Sequence, residues 1–157
     1  MRISIVTFLA FLVNLSTAQI GKIHSEVQEL FGNESLPGLE LRKDGNYLVE
    51  DKKISDDEIR MIIYNSDSIV VGVAFAFPND AITESDYDAI LNEELPLFQE
   101  YKTAIKGDAA CRYGEHGLIL LNPAGAENVF PISSFVIMTD PVIIDRWTKG
   151  IEEWYDE

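Results

Sequence analysis

The sequence predicts an α+β fold, a single domain of about five mostly antiparallel strands with helices packed on the sheet. Three observations carry this reading. Apolar residues recur with a helical period near both ends of residues 19–157, and two segments between them alternate with the period of a strand. The two kinds of segment do not take turns as βαβ units would.

Taken in order, Ile20, Ile23, Val27, Leu30 and Phe31 gather on one side of a helix that Gly32-Asn33 ends. After the turn Leu36-Pro37-Gly38, the residues Leu39, Leu41, Tyr47 and Val49 flank Asp44-Gly45-Asn46 as the arms of a hairpin. Ser55-Asp56-Asp57-Glu58 matches a capping box, which predicts a short helix carrying Ile59, Met61, Ile62 and Ile63. The strand Ser68 to Phe77 is apolar on both faces and is therefore expected at the centre of the sheet. Its Gly72, Ala74 and Ala76 face leaves room for a helix, and its Val71, Val73, Phe75 and Phe77 face fills the opposite layer.

Pro78-Asn79-Asp80 ends that strand. Thr83 with Asp86 predicts a capped helix carrying Tyr87, Ile90 and Leu91, and Pro96 predicts the start of another carrying Phe98, Tyr101 and Ile105 before Gly107. Gly117 to Leu121, the turn Asn122-Pro123-Ala124-Gly125, and Asn128 to Met138 make a second hairpin, with Pro131 expected at an edge or a bulge. Pro141 fits the first position of a last helix in which Ile144, Trp147, Ile151 and Trp154 recur. Val71, Val73, Phe75 and Trp147 are expected among the most buried residues. No period, low-complexity tract or linker divides the chain.

Ahead of these elements, residues 1–18 read as a cleaved secretory signal peptide. Met1-Arg2 supplies the positive start, Ile3 to Leu15 is apolar apart from Ser4, Thr7 and Asn14, and Ser16-Thr17-Ala18 places small residues before a cut at Gln19. The run is too short to span a hydrocarbon layer of roughly 30 Å, so no integral membrane association is expected, and the protein should be secreted or periplasmic.

The whole chain carries 27 acidic and 12 basic residues, a net charge of −15, and loss of Arg2 with the leader makes the mature chain one unit more negative. Such a charge repels nucleic acid and anionic membrane surfaces, and it steers basic proteins or cations inward. Cys111 is the one cysteine, so no disulfide can form within the chain and the core must hold the fold unaided.

Sites of chemistry are sparse. Asp80, Glu84, Asp86 and Asp88 offer oxygen ligands, but no glycine and no distal glutamate stand where a calcium loop needs them. His24 and His116 lie far apart with no Cys-x-x-Cys or His-Glu-x-x-His, so no metal is expected. Phosphate-binding glycine loops are missing from the sequence, and no cofactor is expected. Cys111 to His116 gathers a thiol, a cation, a carboxylate and an imidazole, although catalytic thiol and imidazole groups normally come from separate elements. Asn33-Glu34-Ser35 is an acceptor triplet for N-glycosylation in a eukaryotic secretory pathway.

The expected function is that of an exported acidic protein-binding module, an inhibitor or immunity protein for a basic partner. Its expected surfaces are Asp56-Asp57-Glu58, the stretch Asp80, Glu84, Asp86 and Asp88 with Glu93 and Glu94, and Glu152-Glu153 with Asp156-Glu157. Two other expectations stand beside it: a small secreted hydrolase using paired carboxylates or Cys111 with His116, and a small-ligand-binding protein with a pocket between sheet and helices.

Overall fold

The computed structural model describes residues 19–31, 42–44, 46–106, 109–124 and 129–153. The leader, Gly32-Asn33, the Asn33 triplet, the turn at residues 36–38, Leu39, Leu41, Gly125, Trp154 and residues 156–157 lie outside them, as do the side chains of Glu152 and Glu153.

Among the described residues three helices, α1 (His24–Phe31), α2 (Glu84–Glu94) and α3 (Pro141–Glu153), accompany eight strands. These are β1 (Arg42–Asp44), β2 (Tyr47–Lys53), β3 (Ile59–Tyr64), β4 (Val70–Ala76), β5 (Lys102–Lys106), β6 (Ala109–Gly114), β7 (Gly117–Pro123) and β8 (Ile132–Met138). They form one sheet in the order β1-β2-β3-β4-β8-β7-β6-β5, with every neighbouring pair antiparallel. The α+β class is as expected, but eight strands replace about five.

The additional strands come from three segments. Ile59–Tyr64 is a strand rather than a helix: Arg60, Ile62 and Tyr64 face one way and Ile59, Met61 and Ile63 the other, a period of two that suits β-branched side chains. Ser55 and Glu58 serve a hairpin turn instead of a helix start, with Ile54 N donating to Glu58 O at 3.0 Å and Asp57 N to Ser55 Oγ at 3.1 Å. Pro96 opens only a turn, closed by Phe98 N donating to Leu95 O at 3.0 Å, and Lys102–Lys106 then pairs with the Cys111 segment as an edge hairpin. The third segment is Ala109–Gly114 itself.

The chain repeats one unit twice, a helix followed by a four-stranded meander. Just ahead of α1, Ile23 bridges Ile69 beside β4; just ahead of α2, Ile82 bridges Ile132 at the start of β8. β4 and β8 then join the two meanders at the middle of the sheet. The repeat is one of topology and leaves no period in residue identity.

On one sheet face Ile62, Val73, Phe75, Phe135 and Ile137 pack with Val27 of α1 and Tyr87 and Leu91 of α2. On the other, Cys111, Tyr113, Leu118 and Met138 pack with Ile143, Ile144 and Ile151 of α3. β4 is central, as expected, but on its small face the space at Gly72 is taken by a neighbouring side chain, since a Cβ there would collide with Met138 Sδ. Val73 and Phe75 are fully buried, but Val71 sits at a register shift and is half-buried, and Trp147 is 40% exposed because α3 turns Ile144 and Ile151 inward. Pro131 precedes β8, a central strand and not an edge, and lies beside the irregularity where the β7–β8 register shifts, Asn122 pairing with Ser134 and Pro123 with Ile132.

Candidate functional site

β2 carries an ionic cluster under α1. Along the strand Glu50 and Lys52 share a face, opposite Ile62 and Arg60 of β3. Lys52 Nζ stands 2.7 Å from Glu50 Oε1 with both side chains almost wholly buried. Gln28 Nε2 donates to the two carboxylate oxygens at 3.0 and 3.1 Å, and Tyr64 Oη donates at 3.1 Å. His24 Nε2 lies 3.6 Å from the same carboxylate at the exposed edge of the cluster. Burial alone would raise the Glu50 pKa, but the bonds from Lys52 and Gln28, the Lys52 charge and the Tyr64 bond outweigh it and hold the group below the usual carboxylate range. Burial first, and then the Glu50 charge, push the Tyr64 phenol upward. Through Gln28 and His24 the cluster seats α1 on the sheet.

A second cluster lies on the same sheet face. Arg60 pairs with Glu58 through Nε at 2.5 Å and reaches Glu94 through Nη1 at 3.7 Å, while its guanidinium sits 5.0 Å above the Phe75 ring. Glu94, expected on an acidic surface, is buried: its carboxylate accepts from Gln19 N, Gln19 Nε2 and Ile20 N. Burial raises its pKa, against the bonds from Gln19 and Ile20 and the charge of Arg60.

The remaining acids behave differently. Asp56 and Asp57 are exposed in the β2–β3 turn, and Asp80 is exposed in the β4–α2 loop. Asn79 Nδ2 joins the two segments by donating to Asp57 Oδ1 at 2.8 Å and to Asp56 O at 3.1 Å. Glu84, Asp86 and Asp88 follow in the exposed first turns of α2, where the helix dipole favours negative charge. Thr83 and Asp86 form the expected capping box, with Asp86 N donating to Thr83 Oγ1 at 3.3 Å and Thr83 N to Asp86 Oδ2 at 3.2 Å. Thr83 accordingly holds the Asp86 pKa down, and Lys53, 2.6 Å from Asp56, does the same there. Of the expected acids, then, Asp56, Asp57, Asp80, Glu84, Asp86 and Asp88 gather at one end of the sheet. Glu58 turns to Arg60, and Glu93 is exposed at the far end of α2. Among the described residues no three His, Cys, Asp or Glu side chains are grouped to hold a metal ion.

Cys111 and His116 are separated by the fold. Cys111 pairs with Leu120, three ladder positions before the Gly114–Gly117 pair that closes the turn bearing His116. At ~3.4 Å per residue this is ~10 Å of strand. The thiol is 2% exposed, and burial pushes its pKa up to about 11, away from the thiolate a nucleophile needs. His116 instead borders an open groove of about 810 Å³ between the β6–β7 turn and the start of α3, lined also by Tyr101, Lys102, Tyr113, Thr139 and Asp145.

Arg112, the cation of the Cys111 to His116 run, sits among aromatic rings that sequence did not reveal. Its guanidinium stands 5.0 Å from the Tyr87 ring, 5.1 Å from Tyr101 and 5.5 Å from Phe130, and among the described residues it has no carboxylate within 4.0 Å. Burial pushes the Tyr87 phenol up to about 12, with the Arg112 charge opposing. Aromatic faces stabilise this cation and brace α2 against the sheet.

No protein-family model matches the chain, and no curated protein sequence does. Among solved structures it is similar in fold to an extracellular protein containing an SCP domain from Bacillus anthracis str. Ames, with a TM-score of 0.50 and 14% identity over 85% of this chain and 49% of that one. The chain thus spans about half the length of that protein, and the likeness is one of fold. No helix among the described residues is long and apolar enough to cross a membrane.

Proposed function

We propose that this chain is an exported acidic binding protein whose acid-bearing sheet end receives a basic protein partner, in the manner of an inhibitor or immunity protein. The observation that carries the reading is the Asn79 bridge, which fixes Asp56 and Asp57 beside the loop holding Asp80 and the acidic start of α2. Carboxylates held on two tied loops need little ordering on binding, which favours association. Export is supported by the leader-like residues 1–18, and the fold is one that an extracellular protein also uses. The hydrolase reading through Cys111 and His116 loses its support, because the thiol is buried three ladder positions, ~10 Å of strand, from the turn that bears the imidazole. The open groove at His116 keeps a small-ligand reading in second place.

Affinity capture from the native compartment tests the proposal. The wild-type chain should retain a basic protein that the Asp56→Asn/Asp57→Asn/Asp80→Asn variant, folded to the same extent, fails to retain. Equal retention by both chains would contradict it.

A further inference from the structure

Gln19 is the residue that leader removal would leave as the first of the mature chain, and the fold buries it completely. Its backbone nitrogen donates to Glu94 Oε2 at 2.6 Å, its side-chain Nε2 to Oε1 at 3.0 Å, and Ile20 N to Oε2 at 3.2 Å. The residues that follow are fixed as well. Gly21, at φ +82°, donates to Val70 O at 2.9 Å, and Val70 N donates to Lys22 O at 2.8 Å. One buried carboxylate therefore collects three donors from Gln19-Ile20, the dipeptide that follows the leader. Arg60, the cation 3.7 Å from Glu94, is shared with Glu58, so one guanidinium faces two carboxylates.

We propose that Glu94 is the receptor for the mature N-terminus, so that cutting the Ala18–Gln19 bond places an α-ammonium on this carboxylate and anchors the start of the chain against α2 by a buried ion pair. The inference rests on the export reading above. In the hydrolysis, water supplies hydroxide to the Ala18 carbonyl carbon and a proton to the departing Gln19 nitrogen. The new cation, protonated below its ordinary pKa of ~7.7 to ~8.0, gives Glu94 a positive partner besides the Arg60 that it shares with Glu58. It replaces a neutral amide donor with a charged one, which is the stronger bond.

A chemical consequence follows. An N-terminal glutamine cyclises when its amine lone pair attacks the side-chain Cδ, forming the N–Cδ bond while the Cδ–Nε2 bond breaks and ammonia leaves. On Glu94 the amine holds its proton and Nε2 is engaged by Oε1, so folded mature protein keeps an open Gln19.

The test uses the full chain secreted through its own leader. Mass spectrometry of the exported product identifies the first residue, and a pulse of amine-acylating reagent at neutral pH reports its access. The product should begin at uncyclised Gln19, with its α-amine labelled at least tenfold more slowly in the native state than in urea. Glu94→Gln should remove most of that protection and allow cyclisation, whereas Asn92→Gln, on the exposed side of α2, should not. If Glu94→Gln fails to fold, the native-to-urea ratio of the wild-type chain decides alone. A product that begins at Gln19 and labels equally fast in both states overturns the proposal and leaves export standing. A product beginning elsewhere overturns the assigned cut, and the proposal with it.

Discussion

Lys52 and Glu50 form an ion pair 2.7 Å long in the interior, with side chains only 2% and 4% exposed. Two charges taken out of water are tolerated here because Gln28 and Tyr64 supply further bonds to the carboxylate and Gln28 Oε1 accepts from Lys52 at 3.3 Å. Removing one partner leaves the other charge buried. Lys52→Met should therefore lose ~3 to ~5 kcal/mol in chemical denaturation. Combining it with Glu50→Gln should recover a large part, since an amide at position 50 still accepts from Tyr64.

The same cluster sets a pH dependence. Because the folded Glu50 pKa lies below its unfolded value, its stabilisation is fully present above the ordinary glutamate pKa of ~4.3 and is lost as pH falls through the folded value. Denaturation midpoints measured from pH 7 downward should fall on the acid side, and Glu50→Gln should flatten that fall. An unchanged acid limb in the variant would show that Glu50 is not its source.

Phe75 stacks on Phe135 at 4.7 Å between ring centroids, with the Arg60 guanidinium 5.0 Å from its own ring centroid. Phe75→Ala empties the middle of the sheet face covered by α2 and should cost ~3 to ~5 kcal/mol. Equilibrium unfolding in urea measures this, and a loss below ~1 kcal/mol would place the residue outside the core.

Cys111 should be inert while the protein is folded. With a buried thiol and a pKa near 11, it should resist an aromatic disulfide reagent at pH 8 and react fully once urea unfolds the chain. Rapid native labelling would return the thiol to the list of reactive groups.

Much of the fold was legible where a single physical signal acted alone. The two-sided apolar strand around Val73, the Thr83–Asp86 cap and the Pro141 helix start all stand as read. Reading failed where one local pattern serves two structures. Ser55 to Glu58 satisfies free amides in a hairpin turn as well as it would at a helix start, and the period of Ile59 to Tyr64 decides between them. The interior charges escaped for a different reason: nothing in the sequence marks Glu50, Asp51 and Lys52 as interior, and only the arrival of α1 with Gln28 makes a buried pair tolerable. Glu94 was hidden in the same way, because its partners Gln19 and Ile20 are more than seventy positions away in the chain.

The central claim is that the acidic sheet end steers a basic partner. The decisive measurement is the association rate of the captured partner as a function of salt, for the wild-type chain and for Asp56→Asn/Asp57→Asn/Asp80→Asn. Exposed charges are screened over ~8 Å at physiological ionic strength, so the wild-type rate should fall steeply as salt rises while dissociation changes little. The variant should start slower and respond less. A wild-type association rate that ignores both salt and the three substitutions would contradict the account, reduce the acids to a means of keeping the protein in solution, and move the His116 groove ahead of the acidic end.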